Sequence, residues 1–295
     1  MKRLSALLLC LCLLLTGCSK APRYHYDVRQ DLGIYFTNAD AVIETIRDSL
    51  RERRYQIVIR YRSHRDNLEE LDDIVRELMD CALSETDSPV EGDYLRCQYG
   101  GYTLHSSYRT EESDYCYEVT IEPVYYTTAA QEAQVTERIG EILRELDLSP
   151  AAADSEKVQA VYDYVTTHVR YDTVHAKHPN HSLKATAYAA LFQGQAVCQG
   201  YAVLLYRLLR ELHVETRILT GKLVAADGTA QAHAWNIVQL DGQYYHLDAV
   251  QGIFLAGTES VPDHIRDAAS ASELFDQNDP MAVQDYALPG KENAS

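Results

Sequence analysis

Positive charge is in short supply in this chain. Its 295 residues carry 27 Lys and Arg against 44 Asp and Glu, a formal net charge of −17. A surface that acidic repels phosphate backbones and anionic lipid heads, which argues against nucleic-acid binding and against a basic membrane-hugging patch. Long apolar runs are nearly absent as well. Leu4 to Leu15 is the exception, an almost unbroken Leu, Ala and Cys stretch behind the basic Lys2-Arg3. It is too short for an ordinary membrane-spanning helix and ends in small residues, as a secretory leader does.

The leader carries a further signal. Leu15-Thr16-Gly17-Cys18 resembles a bacterial lipobox, which implies cleavage before Cys18 and lipid on its sulfur; a plain secretory signal or a short anchor is the alternative. Removing Lys2 and Arg3 with the leader takes the formal charge from −17 to −19. Any membrane attachment therefore comes from lipid, each buried methylene adding about 0.8 kcal/mol. The expected location is extracytoplasmic, anchored to the bacterial cell membrane. Of seven cysteines, Cys10 and Cys12 leave with the leader. Cys97 and Cys116, on what read as adjacent strands, are either a disulfide or two free thiols, and Cys81 is left over.

The expected organisation is a leader over 1–17, a tether over 18–30, a small α+β domain over 31–128, a connecting helix over 129–149, a second α+β domain over 150–262 and a polar tail over 263–295. In the first domain, Asp40 to Arg51 reads as a helix and Tyr55 to Arg62 as an alternating strand. Leu68, Leu71, Ile74, Val75, Leu78 and Met79 recur at helical spacing. Tyr94 to Ser107 and Tyr115 to Tyr126 read as strands whose tyrosines pack on sheet faces. Thr128 to Leu148 reads as a helix stopped by Ser149-Pro150, and Asp154 as the N-cap of the next. His175, His178 and His181 fall in a loop punctuated by Pro179-Asn180, with no carboxylate or thiol to complete a metal-ligand set. No metal or organic cofactor is expected.

The second domain carries the chemistry. Ala196-Val197-Cys198-Gln199-Gly200 leads into Tyr201, Ala202, Leu204, Leu205, Leu208, Leu209 and Leu212, an apolar pattern at helical spacing. Cys198 thus sits at a helix start, where free N–H groups and the helix dipole favour an anion. Downstream, Asp241-Gly242 is a two-residue hairpin signal. Pairing Leu240 with Gln243 puts Trp235 opposite Asp248 and His233 opposite Val250, so His233, Trp235, His246 and Asp248 share one face. Diagonal neighbours stand about 7–8 Å apart at the backbone, within reach of polar side chains. Asp248 is then placed to fix the tautomer of His233, leaving its other nitrogen for Cys198. His246, opposite Ile237, reads as a packing residue. The oxyanion donor expected at Cys198 N–H would be joined by Gln193 or Gln195, between which spacing does not decide.

The segments Val158–Val165, Val169–Asp172, Ala187–Leu191, Ala196–Ala202, His233–Val238 and Tyr244–Asp248 resemble the bacterial transglutaminase-like superfamily. The resemblance implies a papain-like α+β core over roughly 150–255 and a catalytic triad of Cys198, His233 and Asp248. It also implies cysteine peptidase, protein cross-linking or related acyl-transfer activity, although some members are inactive. Such domains often continue past the triad aspartate with Thr, Trp and another Asp; here Ala249-Val250-Gln251-Gly252 follows, so substrate preference does not transfer. The leading expectation is a lipid-anchored cysteine enzyme acting on peptide or protein amides, with hydrolysis as the outcome. The alternatives are a catalytically silent surface module that binds protein or cell-wall partners, and a structural lipoprotein with Cys198 buried.

Overall fold

Alternation builds the first half. A computed structural model describes residues 27–29, 35–36, 39–266 and 280–288; the leader, Cys18 and most of the tether lie outside them. The chain begins with β1 (Asp27–Arg29), β2 (Tyr35–Phe36), α1 (Ala39–Arg51), β3 (Ile57–Ser63), α2 (Leu71–Ala82), α3 (Asp93–Cys97), β4 (Tyr99–Glu111) and β5 (Asp114–Tyr125). Its strands form a five-stranded antiparallel sheet in the order β2-β1-β3-β5-β4, which takes in three residues of the expected tether. Ile57, Ile59 and Tyr61 of β3 pack with Ile46 and Leu50 of α1 and with Ile74, Val75 and Met79 of α2. Tyr61 stacks on Tyr117 at 4.9 Å. The Tyr117 hydroxyl donates to Asp66 Oδ1 at 2.6 Å and accepts from Asn67 N at 2.7 Å, so these tyrosines do packing and tethering.

One local expectation changes. Tyr94 to Cys97 lie not in a strand but in the short helix α3, because a tertiary contact outweighs the β pattern. The buried Asp93 carboxylate takes the Arg217 guanidinium at 2.9 Å and Ile218 N at 2.8 Å. Cys97 therefore lies in a helix rather than beside Cys116, and both are free thiols. Burial pushes the Cys97 thiol far up, with the Asp93 charge adding to it.

The second half runs α4 (Ala129–Leu146), α5 (Asp154–His168), β6 (Arg170–Tyr171), β7 (Gln195–Ala196), α6 (Cys198–Glu211), β8 (Thr216–Val224), β9 (Ala230–Leu240), β10 (Gln243–Asp248), β11 (Ile253–Ala256) and β12 (His264–Arg266). Thr128 caps α4 by accepting Gln131 N at 3.2 Å, while Gln131 Oε1 accepts Thr128 N at 2.9 Å, a reciprocal box worth about 1 kcal/mol. At α5 the cap is Ala153 rather than Asp154; Ala153 N bonds to Glu156, and Asp154 pairs with Lys157. Val135, Ile139 and Ile142 of α4 join Val158, Val161 and Val165 of α5 in the core around α6. The helix expected as a connector is therefore part of the second core.

The second sheet is again five-stranded and antiparallel, in the order β11-β10-β9-β8-β12. Asp241 and Gly242 both have positive φ, 51° and 80°, the turn whose twist suits a two-residue hairpin. The register is Leu240 with Gln243, His246 with Ile237 and Leu247 with Asn236. This sheet continues beyond residue 262. β12 lies so close to β8 that a Cβ on Gly221 would stand 2.2 Å from Ile265 O. Met281 bridges to Tyr244 and Ala282 is buried in the core, so part of the segment expected as tail completes the domain.

The halves are joined around α3 and α6. Besides the Asp93–Arg217 pair, Tyr206 donates to Glu85 at 2.8 Å, Arg210 to Thr86 O at 2.6 Å and Gln199 to Cys97 O at 2.6 Å. Among the described residues, no helix is long and apolar enough to cross a membrane.

Candidate active site

The Cys198 loop is shaped by backbone pairing. Tyr171 and Ala196 are partners in the parallel β6–β7 pair, and Val197 N bonds to Lys184 O at 3.0 Å. Two residues past Cys198, Gly200 allows α6 to approach this loop. A Cβ there would meet the Ala196 Cβ at 2.6 Å and Lys184 O at 3.0 Å. Cys198 is the first residue of α6, so its N–H is among those with no partner inside the helix.

Strand parity delivers the other groups. His233 Nε2 meets Asp248 Oδ2 at 2.5 Å, with both side chains buried. The other Asp248 oxygen accepts Val250 N at 2.9 Å and Gln251 N at 3.1 Å, so the carboxylate cannot swing freely. Burial opposes its charge, but the hydrogen bonds from His233 and His264 outweigh that and hold Asp248 down at about 2. Burial likewise opposes the charged form of His233. Hydrogen bonds to Asp248 and Cys198 together prevail and push it up to about 9. With Nε2 engaged by Asp248, Nδ1 is the nitrogen left for the thiol.

Trp235 closes one side, its ring lying nearly parallel to His233 with centroids 5.9 Å apart. Its indole N–H donates to His246 Nδ1 at 3.0 Å, which fixes that nitrogen as an acceptor. Burial, reinforced by the charges of His264 and Arg266, drives His246 down to about 4. His246 is thus a neutral buttress.

A cleft of about 450 Å³ opens at Cys198, walled by Tyr171, Lys177, Lys184, Gln231 and Ala232 among others. The histidine-containing loop forms part of this wall, through Thr173, Ala176 and Lys177. Asp172 anchors it by accepting Val174 N and His175 N and by bonding His175 Nδ1 at 2.8 Å. The Lys184 ammonium then ties down the carbonyls of His175, Ala176 and His178 at 2.7, 3.1 and 2.7 Å. His175 stacks on His181 at 4.3 Å. Gln193 is exposed and Gln195 sits in β7; neither lines the cleft.

A third side chain joins His233 and Asp248. His233, Asp248 and His264 bring one polar atom each within 4.8 Å of one another. Those same atoms are engaged with one another, so a cation there would take His233 away from Asp248. Sequence reasoning missed His264, which lies behind Pro262-Asp263 in a polar stretch without periodicity. Only the neighbouring acid hints at it.

Residues 143–249 match the model of the transglutaminase-like superfamily. Among curated proteins, kyphoscoliosis peptidase of Mus musculus is 30% identical over 139 residues, covering 44% of this chain and 21% of that protein. Its Homo sapiens counterpart is 30% identical over 136 residues, covering 43% and 20%. The chain thus spans about a fifth of the length of the curated relatives it matches. A solved structure of a TGase aligns with a TM-score of 0.38 and 18% identity over 65% of this chain and 55% of that one. The second half of this α+β chain carries, over residues 143–249, a transglutaminase-like domain.

Proposed function

We propose that this protein is an extracytoplasmic cysteine enzyme that cleaves peptide or protein amide bonds through a thioacyl intermediate on Cys198. The observation that carries this reading is His233, which bonds to Asp248 through Nε2, leaves Nδ1 for the thiol and is pushed up to about 9, Asp248 and Cys198 both favouring its charged form. A histidine so held is placed to take the thiol proton and so form the attacking thiolate. The word peptidase in the names of the curated relatives supports the same reaction class.

In the first step the Cys198 thiolate attacks the amide carbonyl carbon. The Cys198 N–H, free at the start of α6, faces the developing oxyanion. His233 then gives its proton to the departing amine as the C–N bond breaks, leaving a thioester. Water attacks the thioester, His233 takes its proton, and the carboxylic acid leaves as the thiolate is restored. Asp248 stays ionised and orients His233 throughout. Water is the default acceptor outside a cell, so hydrolysis is the assigned outcome; faster joining of a glutamine peptide to an added amine would overturn it. The lipobox-like Leu15-Thr16-Gly17-Cys18 supports attachment through lipid on Cys18, and Cys18→Ala is expected to move the protein out of the detergent phase on Triton X-114 partitioning.

The decisive test is the rate of iodoacetamide reaction at Cys198 against pH, read peptide by peptide. Rapid alkylation at pH 6–7, where an ordinary thiol of pKa about 8.5 is nearly inert, and its loss in His233→Ala, is the expected result. An ordinary thiol unaffected by His233→Ala would replace the enzyme with an inactive surface module that binds protein or cell-wall partners.

A further inference from the structure

His264 stands beside Asp248 with no part in this mechanism. Its side chain is 0% exposed, and each ring nitrogen faces a carboxylate: Nε2 lies 3.1 Å from Asp248 Oδ2 and Nδ1 2.8 Å from Asp263 Oδ1. Carboxylates are acceptors when ionised, so satisfying both requires a proton on both nitrogens, which makes the ring a cation. Its ring centroid is 5.8 Å from that of His233 and 5.2 Å from Trp235, edge-on to both. We propose that His264 is a positioning residue of the Cys198 site, a second cationic histidine that shares the Asp248 oxygen with His233 and sets the pH at which His233 gives up its proton. The role in catalysis rests on the proposed thiol chemistry.

Two effects follow from this placement. Asp248 Oδ2 receives donors from both histidines and Oδ1 receives two backbone N–H groups, so the carboxylate has one orientation. The positive charge on His264 also offsets part of the Asp248 charge, which reduces the basicity that Asp248 confers on His233. A lone carboxylate behind His233 would hold its proton more tightly and make it a worse donor to the leaving amine.

The charged groups around His264 fit this assignment. Asp263 on its own segment and Asp248 on β10 are the acids; His233 on β9, His246 on β10 and Arg266 on β12 are the bases, Arg266 and His264 both depressing His246. Burial opposes the His264 charge, but its hydrogen bonds to Asp248 and Asp263 outweigh that and raise it. His246 is neutral, so the site alternates in sign from Asp263 through His264 and Asp248 to His233. Gly221 is what admits β12, and so His264, to this edge of the sheet.

The test is NMR titration of the histidine ring carbons in the full chain, assigned by single substitutions, alongside the Cys198 iodoacetamide profile. In His264→Gln, which keeps an N–H donor and loses the charge, the His233 midpoint is expected to rise by about one unit. The alkaline step of the alkylation profile should rise with it. Asp263→Asn, at an exposed side chain, should lower the His264 midpoint, a measurement that stands even if His264→Gln fails to fold. A His264 that titrates near the ordinary 6.5, or a His233 midpoint that stays put while only the melting temperature falls, overturns the proposal. If Cys198 proves an ordinary thiol, the enzymatic reading falls, yet the two histidine midpoints still judge the coupling between them.

Discussion

β3 and β9 occupy the same place, each the central strand of a five-stranded antiparallel sheet. β3 buries Ile57, Ile59 and Tyr61 and turns Arg60 and Arg62 towards solvent. From His233 onward β9 is covered on both faces. Ala234 and Val238 pack into the core around α6, while Trp235 and Ile237 pack with Leu219 and Tyr244 on the other side. A strand with one wet face spends its polar residues on surface pairs such as Arg60–Glu118, at 2.7 Å. A strand dry on both faces can hold His233 against a buried carboxylate, 2.5 Å from Asp248, and there electrostatics are strong. The second cover, more than the sheet itself, makes the difference between a scaffold and a site.

The largest expected effect comes from breaking the dry side of this comparison. Asp248→Asn keeps the shape but removes the charge that holds His233 and allows the wrong tautomer. Cys198 alkylation at pH 6–7 is expected to fall on the order of a hundredfold or more, measured by peptide mass spectrometry. The pH dependence has a definite sign. Asp248, held at about 2, contributes stability that is present above the ordinary carboxylate range and is lost as pH falls through 4 towards 2. His233, raised to about 9, contributes stability that is complete below 6.5 and is lost as pH rises through 9. An unfolding free energy that stays flat across both windows would contradict this pairing.

The next effect lies where the two halves meet. Arg217 is buried against Asp93 at 2.9 Å and lies 3.3 Å from Glu85. Arg217→Leu strands both acids without a counter-charge, at a cost of about 3–5 kcal/mol by urea unfolding. The Gln199 to Cys97 O bond carries any loosening directly to the residue beside Cys198, so alkylation of the variant should slow as well. Full stability in this variant would mean that the halves are held by apolar contact alone.

These contrasts explain how much was legible in the sequence. His233 and Asp248 could be brought near one another by counting, because Asp241-Gly242 fixes the hairpin register and strand parity does the rest. The apolar run after Cys198 fixed the helix. Tyr94 misled because Asp93 answers to Arg217, 124 residues away, and no local pattern records such a partner. His264 was unreadable for the same reason. Its strand is three residues long, it pairs across the chain with β8, and the permissive feature is a glycine on the other strand. The inclusion of α4 in the second core was partly visible, since its apolar residues recur at helical spacing, but spacing alone does not say which core they face.

A gentler probe of the same junction is Glu85. Burial pushes its carboxyl up to about 7, with the Asp93 charge adding to it and Arg217 opposing. A carboxyl raised on folding binds more protons in the folded than in the unfolded state between about 4.5 and 7. Stability therefore falls as pH rises through that window and levels off above it. Glu85→Gln removes the titration, so the variant should lose this slope and gain relative to the wild type at pH 8, read by urea unfolding at a series of pH values. An unchanged slope would assign the pH dependence to other groups.

The smallest effect belongs to the wet side. Arg60 and Glu118 face solvent across β3 and β5, their side chains 33% and 49% exposed. An ion pair so placed gains little over its hydrated partners and is screened by salt. Arg60→Ala should therefore change the unfolding free energy by less than about 1 kcal/mol and leave the Cys198 alkylation profile where it was. A larger loss, or any shift in that profile, would mean that the first sheet reports to the thiol through α3. The division between a scaffold half and a reactive half would then have to be abandoned.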